Sequence, residues 1–539
     1  MSGMRSASPS ADRIAVFILA ALALVAALTF RDYGLGWDDY THSQYGDLLL
    51  KLYGSGFADT RALSFVNLYK YGGGFDMAAA LAAKVLPFGL FETRRLVGAA
   101  VGIFGLFVTW RLGRRIGGPL GGLSALMLLA ACPLYYGHMF MNAKDAPFAA
   151  AMALLILGLT RAFDEYPKPD ARTVVLAGVG LGLAFGSRVL AGIAAPCALA
   201  ALLFVVVMES RATGWKHAAR RCSEFLWVLL PALALGYLIM GLLWPWSVQS
   251  PLNPLHAAEY FDTFFEKPWD ELYEGRLILV PNMPASYLPH LFILKLPDLM
   301  LAFGLIGTAG AFIAAARGSV PLNRRATLTF VALAALFPIA LAMAARPALY
   351  NGLRHFVFVV PPFAALGGFA TAWLAKRARR HGKTALGALA AVFIAGIALP
   401  VIGMARLHPY EYTYFNALSG GVRVAQHGYM LDYWGLAFKQ AADELRTRLT
   451  AGNEHPPQGR RWVMAICGPQ SSAQEQLGPQ FETTFDSKRA DFVMSLGTFY
   501  CRHLQAPILV SVERDGVVYA RVYDMRGARP EKLLTEPPP

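Results

Sequence analysis

The chain has 539 residues, of which 56% are hydrophobic and only 16% are charged. In a soluble protein of this length, about a quarter of the residues would be charged. The sequence also contains many apolar runs of roughly 20 residues, the length that a helix needs to cross a bilayer. The composition therefore predicts a polytopic α-helical membrane protein, since a β-barrel would show short alternating segments. The net charge is +14, but the basic residues fall mainly in short loops between apolar runs, which is the positive-inside pattern. A nucleic-acid partner is therefore not expected.

The apolar runs predict about eleven transmembrane helices. They lie at about 13–30, 95–112, 118–137, 146–163, 172–187, 189–207, 224–244, 297–316, 326–345, 356–375 and 384–404. A weaker apolar stretch, 74–90, follows three glycines and contains Pro87. We predict that it does not cross the membrane, because only then do all the basic loops share the cytoplasmic side. These basic loops are 111–115, 211–221, 316–325 and 375–383.

This topology places four segments on the extracytoplasmic face of what we take to be a bacterial cytoplasmic (inner) membrane. They are 31–93, 138–145, 245–296 and 346–355. The loop 245–296 is too long to be a mere connector, and long ordered loops tend to carry function.

The composition changes after residue 404, so we divide the chain into a transmembrane domain, 1–404, and a small extracytoplasmic α/β domain, 405–539. Strands are predicted in RWVMAIC, ADFVMSLGTFYC and PILVSVERDGVVYARVYD, with ERDG as a hairpin turn. Cys467 and Cys501 lie in this domain and are either joined by a disulfide, if that face is oxidising, or buried as two unpaired thiols.

Ionisable residues at membrane depth are candidates for function, and the sequence places four groups of them near the extracytoplasmic face. The groups are Asp38 with Asp39, Lys144 with Asp145, Arg188, and Arg354 with His355. Each group also has a structural explanation. The acids can cap helices or favour a helix start, and the basic residues can extend to the lipid headgroups.

Taken together, several cations and carboxylates converge on one face of a helical bundle. A phosphate-bearing lipid fits this combination, because an arginine fork matches phosphate geometry. A carboxylate whose pKa is raised toward neutrality by burial can deprotonate an incoming hydroxyl. On this basis Asp38 is a candidate general base.

Three stretches in this order resemble the GT-C glycosyltransferases: the acidic pair in WDD after the first helix, then ETRRLVGAAVGIFGLFVTWRLGRRIGG, then PLYYGHMFMNAKDAPFAAAMALLILGL. The sequence is most similar to the protein O-mannosyltransferase-like family and to the lipid A aminoarabinose transferases. The resemblance covers about residues 13–404. It implies a GT-C-like fold and an enzyme that takes a sugar from a polyprenyl-phosphate donor on the extracytoplasmic side.

The resemblance also implies roles for particular residues. Asp38 matches the family's general base, Asp39 its acidic neighbour, and Asp145 the acid of the second outer loop. A larger set matches or lies near positions that bind the donor phosphate: Arg188, Lys144, Arg354, His355 and Lys70. Lys70 departs from the family pattern, because glycines follow it where relatives have prolines.

The predicted function is therefore the inverting transfer of a hexosyl or pentosyl group from a polyprenyl-phosphate-linked sugar to a hydroxyl of a protein or lipid. Membrane lipids surround the protein, and no metal site is assigned, although two adjacent acids are compatible with a divalent metal. The alternative is a transporter or flippase of a lipid-linked sugar. The absence of an internal repeat argues against it.

Overall fold

The computed structural model describes residues 9–262 and 269–535. Its α-helices up to residue 262 are α1 (Pro9–Thr29), α2 (Asp39–Gly54), α3 (Gly74–Ala83), α4 (Leu90–Ala130), α5 (Pro133–Met141), α6 (Asp145–Asp164), α7 (Ala171–Phe185), α8 (Ala194–Thr213), α9 (Trp215–Leu243) and α10 (Asn253–Asp262). Those after residue 268 are α11 (Tyr287–Lys295), α12 (Asp298–Ala316), α13 (Leu322–Ala345), α14 (Val360–Arg380), α15 (Lys383–Leu407), α16 (Gly421–Ala425), α17 (Phe438–Ala451) and α18 (Gln470–Leu477).

Nine helices within these two ranges are long and apolar enough to cross a bilayer: α1, α4, α6, α8, α9, α12, α13, α14 and α15. The protein is therefore a multi-pass helical membrane protein, as predicted. The sequence predicted about eleven spans for two reasons. It counted 172–187, which forms the shorter helix α7, as a span, and it counted the two arms of α4 as two separate spans.

Helix α4 consists of two helical arms that are joined by a sharp bend at Gly118. This residue has a φ of 73° and a ψ of −170°, a backbone conformation that glycine adopts without steric cost. The two arms then pack against each other, with Gly122 against Trp110 and Gly113 against Ala125. The sequence prediction of two separate helices in this region describes these two arms.

The stretch 74–90 contains only the ten-residue helix α3. At 1.5 Å per residue, a helix of this length rises about 15 Å, which is half the thickness of the hydrocarbon core. Helix α3 is thus too short to cross, in agreement with the topology inferred from the basic loops.

Helix α6 runs through the centre of the bundle and is buried on nearly all sides. Its twenty residues rise about 30 Å, the thickness of the hydrocarbon core. At its C-terminal end, Asp164 binds Arg115, and the Arg324 side chain donates to the Arg115 carbonyl at 3.0 Å. The basic loops 111–115 and 316–325 therefore meet at one end of the bundle, opposite Asp145.

The strands form two sheets. They are β1 (Asp270–Tyr273), β2 (Arg276–Leu279), β3 (Trp462–Cys467), β4 (Phe481–Thr484), β5 (Phe492–Leu496), β6 (Ile508–Arg514) and β7 (Val517–Asp524). The antiparallel hairpin of β1 and β2 lies inside the long loop 245–296, where no strand was predicted.

The larger sheet belongs to what we call the sheet domain, residues 438–535. Its strand order is β4-β3-β5-β7-β6, with β3 parallel to both of its neighbours and β7 antiparallel to both of its own. The predicted ERDG turn joins β6 to β7, and Asp515 and Gly516 both have positive φ, as a tight hairpin turn requires.

A disulfide joins Cys467, at the end of β3, to Cys501. It ties the segment that follows β5 to the centre of the sheet. The sequence left open whether these two cysteines form a disulfide or stay as free thiols, and the structure shows the disulfide.

Replacing both Cys467 and Cys501 with serine removes a cross-link across 34 residues. The chain-entropy model then predicts that the free energy of unfolding of the sheet domain falls by about 4 kcal/mol. The loss is measured by heating the full-length protein in detergent and monitoring unfolding of the sheet domain by its sensitivity to limited proteolysis. Cys222→Ser, at a free cysteine, is the control, and an equal midpoint for the double variant and the wild type would contradict the prediction.

Candidate active site

A cavity of about 1200 Å³ lies between the helix bundle and the sheet domain. We call it the main cavity. Its walls come from both parts of the chain: 37–42, 66–71, Lys144, 269–277, 350–354, 430–434, 499–500 and 534–535. It lies at the N-terminal end of α6, and the basic loops lie at the other end of that helix.

Asp38 faces the main cavity, immediately before α2. Its Oδ2 accepts a hydrogen bond from the Lys144 ammonium at 3.2 Å and lies 3.8 Å from the Arg354 guanidinium. The Asp38 side chain is 35% exposed, whereas those of Lys144 and Arg354 are 16% and 8% exposed. A partly accessible carboxylate is therefore held by two largely buried cations.

The backbone before Asp38 is fixed against the segment that precedes the sheet domain. A Cβ on Gly36 would lie 1.7 Å from the Trp434 ring, so only glycine fits there. The Trp37 amide donates to the Trp434 carbonyl at 3.2 Å, and the Ser472 hydroxyl donates to the Gly36 carbonyl at 2.6 Å. The C-terminal part of the chain thus determines where Asp38 lies.

The pKa of Asp38 differs in direction from the sequence-based expectation. Burial acts to raise this pKa, but the charges of Lys144 and Arg354 outweigh burial and hold it below its usual range. Burial likewise acts to lower the pKa of Lys144, but the charge of Asp38 together with the contribution of Tyr71 outweighs burial, so that this pKa is raised. Asp38 and Lys144 are therefore a charged pair at neutral pH.

Asp39 turns away from Asp38 into the protein. Its carboxylate receives two hydrogen bonds from Arg95, at 2.9 and 2.6 Å, and one from the Gly36 amide at 2.7 Å. Only 2% of Asp39 is exposed. The two adjacent acids thus have different partners, and they do not converge as the two ligands of one metal ion would.

Asp145 lies behind the main cavity. Its carboxylate pairs with Arg188 at 2.7 Å and accepts from the Asn142 amide at 2.9 Å. The Arg188 guanidinium lies 5.5 Å from the ring of Tyr71, and the Lys144 ammonium lies 5.0 Å from the same ring. Because Tyr71 lines the cavity, the Asp145–Arg188 pair is one side chain removed from it.

The remaining predicted residues take different positions. The Arg354 guanidinium lines the cavity between the rings of Tyr350 and Trp434, at 4.6 and 4.9 Å. The ring of His355 packs against that of Tyr350 at 5.0 Å. Lys70 lies 3.3 Å from the centre of the Tyr260 ring, a cation–π contact on the α10 side.

The cluster contains cations that could bind an anion. Three cations, Lys144, Arg188 and Arg354, lie among two carboxylates, Asp38 and Asp145. Lys144 and Arg354 line the main cavity, where they could bind a phosphate, and Asp270 and Glu271 line it as well. Within residues 9–262 and 269–535, no group of three or more His, Cys, Asp or Glu side chains is arranged to hold a metal ion.

Two features of the site were not identified from the sequence. Glu271, on β1, lines the cavity and accepts hydrogen bonds from the Tyr287 hydroxyl at 2.9 Å and the Asn351 amide at 2.8 Å. Burial raises the pKa of Glu271. His42 also lines the cavity and binds the buried Asp76 at 2.6 Å. Only the unusual length of loop 245–296 gave a sequence signal for the first of these.

Comparison with known proteins agrees with this architecture. Residues 75–244 match the sequence model of the family described as dolichyl-phosphate-mannose-protein mannosyltransferase. No curated protein sequence matches the chain significantly.

Three solved structures resemble the whole chain. ArnT from Cupriavidus metallidurans in the apo state is 15% identical, with 98% of this chain and 100% of that chain covered and a TM-score of 0.50. The same enzyme bound to undecaprenyl phosphate is 16% identical, with 96% and 99% covered and a TM-score of 0.47. The Archaeoglobus fulgidus oligosaccharyltransferase in the apo form is 12% identical, with 90% and 69% covered and a TM-score of 0.53. The chain therefore has the GT-C glycosyltransferase fold that these two enzymes share, and its residues 75–244 match the mannosyltransferase family model.

Proposed function

We propose that this protein transfers a sugar from a polyprenyl-phosphate donor to a hydroxyl of a protein or lipid acceptor. The observation that carries the proposal is the contact of Asp38 with Lys144 and Arg354 in the main cavity. It combines a base with two phosphate-binding groups in one accessible site. The description of the matching family supports the donor class, because it names a dolichyl-phosphate sugar.

The orientation of the chain supports an extracytoplasmic site. The basic loops gather at the end of α6 that carries Asp164, and the main cavity lies at the end that carries Asp145. Basic loops remain on the cytoplasmic side during insertion. We therefore place the main cavity and the sheet domain outside the bacterial cytoplasmic membrane.

In the proposed reaction, the donor phosphate binds Lys144 and Arg354, with Arg188 as a third cation behind Tyr71. The acceptor oxygen attacks the anomeric carbon and forms the new glycosidic bond as the bond from that carbon to the phosphate oxygen breaks. The bonding electron pair leaves with the phosphate, whose charge the cations stabilise. The acceptor proton passes to Asp38, and attack opposite to the leaving phosphate inverts the configuration.

The pairing of Asp38 explains how a carboxylate with a lowered pKa can act as a base. In the free protein, Lys144 and Arg354 neutralise it. A donor phosphate competes for the same two cations, so that Asp38 loses part of its counter-charge. Its pKa then rises, because burial is less opposed. Donor binding therefore activates the base in this scheme.

The other predicted residues have supporting roles in the proposal. Asp39 holds the WDD segment through Arg95, and Asp145 orients Arg188 and the Asn142 loop. His355 supports Tyr350, which packs on Arg354. Lys70 packs on the Tyr260 ring and does not line the main cavity, so the proposal gives it no part in phosphate binding.

Asp38→Asn is expected to lower the rate of sugar transfer by about 10²–10⁴-fold, the usual contribution of a general base. Undecaprenyl phosphate binding should be kept or tightened, because asparagine no longer competes for Lys144 and Arg354. Transfer from a polyprenyl-phosphate sugar by the purified protein in detergent measures the rate without any membrane gradient. Asp47→Asn, at an exposed acid of α2, is the matched control, and normal turnover by Asp38→Asn would remove Asp38 as the base.

The pH profile of kcat/KM should be flat from about pH 8 to about pH 5. Its acid limb should lie below about pH 4, because the pKa of Asp38 in the free enzyme is below its ordinary value. Lys144→Gln removes the largest opposing charge, so the acid limb should move to higher pH. Lys51→Gln, at an exposed lysine of α2, should leave it in place. An acid limb near neutrality in the wild type would contradict the assigned direction.

Asp39→Asn should affect folding rather than chemistry. It leaves Arg95 charged and buried without its partner, at a cost of about 3–5 kcal/mol. We therefore expect a lower thermal unfolding temperature in detergent and a lower yield. Asp38→Asn should lower the unfolding temperature less than Asp39→Asn, because the Asp38 side chain is 35% exposed and solvent screens its ion pairs. Removing both charges in Asp39→Asn with Arg95→Met should restore part of the stability. Equal melting temperatures for the wild type and Asp39→Asn would refute the structural role.

A further inference from the structure

A second cavity, of about 420 Å³, lies in the sheet domain next to the main cavity. Its walls are the end of β5, the facing part of β7, and the segment that contains Gln426 and Met430. Arg502, His503 and Arg521 also line it, and we call it the basic cavity.

The basic cavity contains an exposed arginine, Arg502, and a half-buried arginine, Arg521, and neither has a counter-ion among the described residues. The ion-paired arginines of the sheet domain are Arg446, Arg460 and Arg526. Among the residues that the structure describes, neither Arg502 nor Arg521 has a carboxylate within ion-pair distance, and no acid lines this cavity.

The Arg521 guanidinium has one partner and one unpaired donor among the described residues. Its Nη1 lies 3.0 Å from Nδ1 of His503. Its Nε is buried without a hydrogen-bond partner in the described part of the chain, and Arg521 lines the basic cavity. Buried polar groups of native proteins are nearly always paired, so this N–H donor indicates a site whose ligand supplies an acceptor oxygen.

A single partition separates the two cavities. Leu272, Met430, Phe499 and Thr535 line both of them. The disulfide of Cys501 and the hydrogen bond from the Thr535 amide to the Tyr500 carbonyl, at 3.0 Å, hold this partition in place. Phe499 is therefore a wall shared by the basic cavity and by the cavity that Asp38 lines.

We propose that the basic cavity binds an anionic group, a carboxylate or a phosphate, of the acceptor. This inference rests on the proposed function and deepens it, because it gives the acceptor a charge and an orientation. The guanidinium groups of Arg502 and Arg521 supply paired N–H donors that match the oxygens of either anion. The acceptor hydroxyl then enters the main cavity from the side of the sheet domain, and the donor phosphate is held by the bundle.

The first test needs no turnover. Inorganic phosphate and glucuronate are titrated separately into the full-length protein in detergent by calorimetry, with glucose as the uncharged control. The variant is Arg502→Gln with Arg521→Gln. The matched control is Arg461→Gln with Arg489→Gln, which removes the same charge from exposed sites of the same domain. Phosphate binding at Lys144 and Arg354 contributes equally to the titrations of both double variants. The comparison of the two variants therefore reports binding at the basic cavity alone.

We expect the Kd of at least one anion to rise by about tenfold or more in Arg502→Gln/Arg521→Gln, as when charge-assisted hydrogen bonds are lost. The control pair should keep the wild-type Kd. The anion that binds more tightly identifies the group as a phosphate or a carboxylate. An equal rise of the Kd in both double variants would show that the anion is attracted only by the overall positive charge of the domain. That result would overturn the proposal, and so would the absence of anion binding by the wild type.

The second test uses transfer with an envelope extract as the acceptor pool. Arg502→Gln/Arg521→Gln should raise the KM for the acceptor and leave kcat and the KM for the donor unchanged. An unchanged acceptor KM would overturn the proposal even if transfer itself is observed. If no transfer is observed, the proposed function fails, and the anion titration still decides whether the basic cavity binds an anion.

Discussion

The contact of Asp38 with Lys144 and Arg354 is the interaction on which the site depends. Two cations at the end of an apolar bundle are costly to bury unless they are paired. In the free protein the Asp38 carboxylate supplies this compensation. In the proposed mechanism a donor phosphate replaces it, and the same pairing then accounts both for the burial of the two cations in the free protein and for the binding of an anionic lipid.

Asp38 and Asp39 show how neighbouring acids acquire different properties. A one-residue step at the start of α2 directs Asp38 into the cavity and Asp39 into the protein, where Arg95 and the Gly36 amide satisfy it. The difference between them is thus one of solvent access and of partners. Asp145 follows the second pattern, because Arg188 and Asn142 occupy its oxygens.

The sheet domain completes the site. Trp434 and Ser472 hold the backbone at Gly36 and Trp37, and residues 499–500 and 534–535 close one wall of the main cavity. The disulfide keeps the segment before Cys501 against β3. The separation of the two cavities by Phe499 then gives the donor and the acceptor different routes of approach in the mechanism proposed above.

The sequence by itself determined that the protein is a multi-pass membrane protein and where the hairpin turn at Asp515–Gly516 lies. It also determined the number of membrane-spanning helices, except that it counted the short α7 as a span and the two arms of α4 as two spans. These follow from apolar length, glycine and proline placement, and loop charge, which are local properties. It also singled out Lys144, Arg188 and Arg354, because a charge within an apolar run is conspicuous in one dimension. The tertiary structure alone decided which charges meet, which way the Asp38 pKa shifts, and that β1 brings Glu271 to the cavity. These depend on contacts between residues distant in the chain, and their electrostatic energies change steeply with separation and burial.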